Sequence, residues 1–144
     1  MTKSSRPIFL LGLGAQKAGT TWLHAYISQF STVDTGRFKE YHIWDCMTVP
    51  GFAETYLTDK KKLGLRRNLR DAKNRLLRRP REGFFLRREM QRNPEYYFDY
   101  FSGLLARDGI QLTADITPSY SALQVETLVS IRDGFAQRGI DTKV

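Results

Sequence analysis

The chain has a single cysteine, Cys46, so it forms no internal disulfide, and that scarcity fits a reducing compartment. It has no apolar stretch of membrane-spanning length: the run Ile8 to Leu13 is too short and merges directly into a glycine-bounded loop, which makes it a core strand. No leader or anchor is legible, and a cytoplasmic location is the expectation. Internal repeats and low-complexity linkers are missing as well. Acidic residues are in the minority, 15 against 23 Lys and Arg, and the formal charge of +8 points to an anionic partner. The excess is uneven: 14 of the 23 bases lie between Lys60 and Arg92, against four acids from Asp59 to Arg92.

What is present suits one domain spanning residues 1–144, since 144 residues with 41% apolar content supply one modest core. Ile8, Phe9, Leu10, Leu11 and Leu13 read as a strand buried on both faces of a parallel sheet. From Thr20 the spacing of Trp22, Leu23, Tyr26, Ile27 and Phe30 predicts a helix, broken at Ser31 and Thr32. Thr35 to Trp44 is ambiguous between strand and loop, and Phe52 to Leu57 suits a turn or two of helix. Leu65, Leu69, Ala72 and Leu76 predict an amphipathic helix with its arginines on the opposite face, ended by Pro80. Asn93 followed by Pro94 is a helix start, with Tyr97, Phe101, Leu104 and Leu105 as the buried stripe and Gly109 as the stop. Ile110 to Ala114 reads as a strand, TPSY as a turn, and Val125, Leu128, Ile131 and Phe135 as a last helix closing near Gly139. The alternation gives an α/β fold, a parallel sheet flanked by helices. GIDTKV resembles the approach to another strand, so the sheet is expected to be incomplete, with later strands missing and little activity or stability in this piece alone.

The chemistry concentrates in GLGAQKAGTTWLHAYI, residues 12–27. A strand, a tight loop and a helix N-terminus together aim backbone N–H groups and a partial positive charge at one point, which makes an anion site. Gly14 and Gly19 permit the backbone conformations this needs. Their spacing matches the phosphate-loop frame GxxxxGK[ST], yet Thr20 and Thr21 follow Gly19 and the positive charge stands inside the loop at Lys17. The bland alternative, a strand-to-helix turn and nothing more, does not account for Lys17 and the threonine pair together.

The segment GAQKAGTTWL resembles the 5′-phosphosulfate loop of the sulfotransferases, which use 3′-phosphoadenosine 5′-phosphosulfate (PAPS) as sulfuryl donor. FKEYHIWD, residues 38–45, is similar to the Lys-Glu-x-His-aromatic segment of the carbohydrate sulfotransferases, and ADITPSYSAL, residues 114–123, to their Glu-Lys-x-Pro-x-Tyr stretch. The resemblance runs in order over residues 8–125 and implies a P-loop-type fold. It also implies that Lys17 stabilises the transferring sulfuryl group and its leaving oxygen, while Gln16, Ala18, Gly19, Thr20, Thr21 and Trp22 wrap the 5′-phosphate. Glu40 matches the general base, flanked by Lys39 and His42 in the acceptor cleft. The acceptor would be a hydroxyl or amine, such as an anionic glycan, and no metal is expected. A carboxylate can take the proton an alcohol loses as its oxygen bonds to sulfur, and cationic donors stabilise the departing phosphate. The plainer readings are that Glu40 is a surface partner of Lys39 and His42 a structural hydrogen-bonding group.

Two positions depart from the family pattern. Ile116 stands where lysine is frequent, and IRDGF, residues 131–135, has Gly134 where the 3′-phosphate segment has proline. Arg132 is therefore a decoy, and the 3′-phosphate site is expected beyond Val144. The competing reaction class is a P-loop kinase or NTPase, with magnesium held by Thr21 and Asp115. The basic stretch 60–92 fits a solvated helix face or attraction of an anionic acceptor. Nucleic-acid binding is disfavoured because Phe84, Phe85 and Tyr96 fit helix-core spacing better than a stacking platform.

Overall fold

A computed structural model describes residues 6–56, 65–77 and 83–144. Strand β1 (Ile8–Gly12) lies in the middle of a three-stranded parallel sheet of order β2-β1-β3, with β2 at Leu112–Ile116 and β3 at Asp141–Lys143. Ile8 pairs with Leu112 on one side and Asp141 on the other, and Gly12 lies opposite Ile116 at the far end of β2. GIDTKV does enter a strand, and it adds to the sheet beside β1. The strand expected over Ile110–Ala114 begins and ends two residues later. Ile110 is held in the preceding turn, its N–H donating to Arg107 O at 3.2 Å, and Gln111 N donates to Thr32 O at 2.8 Å.

Helices α1 (Thr20–Ile27), α2 (Trp44–Thr48), α3 (Phe52–Tyr56), α4 (Leu65–Leu76), α5 (Gly83–Arg92), α6 (Pro94–Leu105) and α7 (Val125–Ala136) flank the sheet, and a 3₁₀ turn covers Pro118–Ala122. None of them is long and apolar enough to cross a membrane. The core is aromatic. Phe9 stacks on Phe135 of α7 with ring centroids 3.9 Å apart and meets Phe101 of α6 edge-on at 4.9 Å. Asn93 caps α6 as its sequence demands, the side-chain oxygen accepting from Glu95 N at 3.1 Å, with Pro94 in the first turn. Helix α6 stops at Leu105, before Gly109, which sits with φ 76° in the turn that follows. Gly134 of α7 is where Phe98 of α6 presses closest: a Cβ there would lie 2.4 Å from the ring. Arg132 is exposed and paired with its neighbour Asp133.

Three expectations are corrected. β1 is closed on one face only: Phe9 and Leu11 are buried, whereas Ile8 and Leu10 are half-buried. Helix α1 has no buried residue, because its apolar positions divide between two faces. Leu23 and Ile27 are half-buried, while Trp22, Tyr26 and Phe30 stack on one another in solvent, Trp22 68% exposed. The stripe of α4 is uncovered too, with Leu65 75% and Leu76 85% exposed. This helix turns its polar side inward, burying Asp71, and Asn68, Asp71 and Arg75 share a cleft with Phe85, Arg88 and Arg92 of α5. Phe85 is core, as its spacing requires. Pro80, Leu57 and the basic residues at 60–62, 78, 79 and 81 lie outside the described residues.

Candidate functional site

The chain leaves β1 towards β2 on one side and returns through α7 to β3 on the other. In parallel α/β sheets a crevice opens beyond the carboxyl ends of the strands at such a reversal. The loop Leu13–Gly19 rises from that point. Gly12 lies so close to β2 that a Cβ would meet Ile116 at 2.8 Å, and one on Gly14 would meet the Thr20 methyl at 3.1 Å. Gly19, φ 88°, is the N-cap of α1 and supplies no side-chain cap. The first helical bond runs from Leu23 N to Gly19 O, which leaves the amides of Thr20, Thr21 and Trp22 directed out of the helix end. Lys17 has φ 63°, a left-handed conformation that costs a side-chain-bearing residue free energy.

A cleft of about 480 Å³ opens above this loop. Gln16, Lys17, Gly19, Thr20 and Thr21 line it together with Lys39, Glu40 and His42, and Phe52, Tyr56, Pro118 and Ser119 complete the lining. Eight of the residues singled out from the sequence thus meet in one place. Ala18 is exposed and Trp22 stacks on Tyr26 at 5.2 Å, and neither lines the cleft.

Residues 35–43 are neither strand nor helix. They are pinned by Tyr41, whose hydroxyl donates to Thr35 O at 3.0 Å and accepts from Arg37 N at 3.0 Å, while its own N–H donates to Thr117 Oγ1 at 3.0 Å. On this support the polar side chains form a chain. Lys39 Nζ donates to Thr21 Oγ1 at 2.8 Å and lies 2.7 Å from Glu40 Oε1. Glu40 Oε2 is 3.3 Å from His42 Nε2, and His42 Nδ1 is 2.7 Å from Asp45 Oδ2. Asp45 is fully buried and also accepts from Cys46 N at 2.8 Å and from the Ser119 hydroxyl. His42 is held at φ 53° with its ring stacked on Tyr56, centroids 3.7 Å apart and planes 8° from parallel. Both plainer readings hold geometrically, since Glu40 does pair with Lys39 and His42 does hydrogen-bond. The two residues nevertheless belong to one connected chain open to the cleft.

Behind this wall Asp115 is fully buried at the end of β2. It accepts from Thr117 Oγ1 at 2.6 Å and from the hydroxyls of Tyr97 and Tyr120 at 2.9 Å each, and burial pushes its carboxyl up to about 6. Burial and then the Asp45 charge push the Cys46 thiol up to about 11. His24, on α1, is pulled below its usual value by burial and by the Lys39 ammonium.

Sequence reasoning missed Asp45, Ser119, Phe52 and Tyr56. Asp45 had a signal, its spacing of three from His42, which suits the approach to a helix. Ser119 lay inside a stretch read only as a turn, and the two aromatics are brought over by α3, whose docking no local pattern announces. Comparison of the chain with protein-family models, with characterised proteins and with solved structures finds no match.

Proposed function

We propose that this cleft is the active site of a PAPS-dependent sulfotransferase acting on a hydroxyl-bearing acceptor. The observation that carries the reading is conformational. Among the described residues, Lys17 and His42 are the only ones other than glycine with positive φ, and both line this cleft. Strained backbone of this kind persists where the surroundings over-determine it and gathers at functional sites.

The uncapped amides of Thr20 and Thr21, the N-terminal field of α1 and the Lys17 ammonium favour a bound phosphate carrying a good leaving bond. The donor supplies an electrophilic sulfur whose S–O bond to the 5′-phosphate breaks as the acceptor oxygen attacks. Lys17 then meets the negative charge gathering on the released phosphate oxygen, and Glu40 accepts the acceptor's proton. His42, fixed by Asp45 at Nδ1, orients Glu40 through Nε2. Phe52 and Tyr56 give the acceptor side an apolar surface.

A magnesium-dependent kinase or NTPase would need Thr21 and Asp115 as metal-side ligands. The Thr21 hydroxyl is taken by Lys39, and the Asp115 oxygens are held by three hydroxyls away from the cleft, which favours sulfuryl transfer. Calorimetry separates the two. Adenosine 3′,5′-bisphosphate is expected to bind through its 5′-phosphate without magnesium, ATP to gain no affinity from magnesium, and Lys17→Ala to weaken the bisphosphate. Magnesium-dependent ATP binding with no affinity for the bisphosphate would overturn the sulfotransferase reading.

A further inference from the structure

We propose that Arg87 and Gln91, one turn apart on α5, are positioning residues that clamp the Glu40–His42 segment and set the imidazole against Tyr56, an inference resting on the sulfotransferase reading for what the segment does. Arg87 Nη2 donates to Glu40 O at 2.9 Å. Gln91 Nε2 donates to His42 O at 2.9 Å and to Tyr56 O at 3.1 Å. A spacing of four puts both side chains on one face of α5, and the carbonyls they reach are two residues apart in a segment without regular structure of its own.

The geometry explains two features together. His42 sits in a left-handed conformation uncommon for any residue but glycine, and a buried donor on its carbonyl is one of the contacts that can hold it there. The same amide nitrogen also grips Tyr56, so one side chain couples the backbones whose rings stack at 3.7 Å. Arg87 is anchored in turn, its guanidinium 4.7 Å above the Phe38 ring and half-buried. The imidazole is thereby fixed from three directions: Asp45 at Nδ1, Glu40 at Nε2 and Tyr56 on its face. On this view the last part of the basic stretch serves the cleft by holding its wall from behind.

Proton NMR of the imidazole signals in the full chain tests this, with assignment by His24→Gln, since His24 is the other histidine. In the wild-type protein the Tyr56 ring current displaces the His42 ring protons upfield. Gln91→Met, similar in volume and without a donor, is expected to remove most of that displacement while adenosine 3′,5′-bisphosphate affinity stays within about twofold. Arg87→Met is expected to move the same signals less, and Arg87→Lys, which keeps a donor, to restore them. Unchanged ring signals in Gln91→Met, or in Arg87→Met should the first variant not fold, would overturn the clamp. Failure of the wild-type protein to bind the bisphosphate would instead sink the sulfotransferase reading, leaving the ring signals to report on the clamp independently.

Discussion

Lys39 donates from Nζ to the hydroxyl of Thr21 at 2.8 Å, joining the first turn of α1 to the segment that carries Glu40. The same ammonium lies 2.7 Å from Glu40. Partly exposed pairs of this kind contribute about 0–1 kcal/mol, so Lys39→Met is expected to shift urea unfolding by less than about 1 kcal/mol. Its charge is better placed for function, and the variant should bind adenosine 3′,5′-bisphosphate about three- to tenfold more weakly at low salt, with the difference shrinking as salt rises. An equal affinity in the two proteins would remove Lys39 from the anion site.

Lys17 offers a test that separates strain from chemistry. Left-handed backbone costs a side-chain-bearing residue about 1–2 kcal/mol, and glycine escapes that cost. Lys17→Gly should therefore be more stable than Lys17→Ala by about 1 kcal/mol in denaturant unfolding. Both should lose sulfuryl transfer by about 100-fold or more, because both remove the cation proposed to face the leaving oxygen. Retention of transfer in either variant would exclude Lys17 from the chemistry.

Glu40→Gln keeps the shape of the side chain and deletes the proposed proton acceptor. Transfer is expected to fall by about 10²- to 10⁴-fold with nucleotide affinity within about twofold. Asp45→Asn should give a smaller loss, since it disturbs the hydrogen bond to His42 without touching the proposed base. Initial rates and calorimetry on the two variants read this out; an Asp45→Asn loss exceeding that of Glu40→Gln would move the base to His42.

Asp115 makes stability depend on pH. Its folded-state value near 6 lies above the 3.8 expected of an open chain, so between those values the folded protein binds more protons than the unfolded one. The stabilisation is complete below about pH 4 and is lost as pH rises through about 6, at about 1.4 kcal/mol per unit of difference. Urea unfolding from pH 4 to 7 should show wild type losing stability relative to Asp115→Asn over that window. Parallel curves would mean that the three hydroxyls and the Tyr41 amide fully compensate the buried charge.

Much of this arrangement was legible because local chemistry dictates it. Asn93–Pro94 marked a helix start, and Gly14 and Gly19 marked a loop that leads from the strand into α1. The run Ile8–Leu13 announced a strand but not that one of its faces would remain half-covered. Apolar periodicity misled at α1 and α4 for one reason: it reports which residues share a side, not whether anything packs there. At α4 the buried position is Asp71, which no hydrophobic pattern selects. The wall of the cleft was the least legible part, because Arg87, Gln91 and Thr117 hold it through side chains reaching backbone groups up to 76 residues away.

Cys46 follows Asp45 directly, lies 3% exposed and has its thiol pushed up to about 11. At neutral pH the intact protein therefore presents almost no thiolate to an alkylating reagent, and the sequence contains no second sulfhydryl to confuse the signal. Labelling speed becomes a clock for the transient loosening of α2, and a donor nucleotide that tightens the neighbouring cleft would slow it without any acceptor having to be identified.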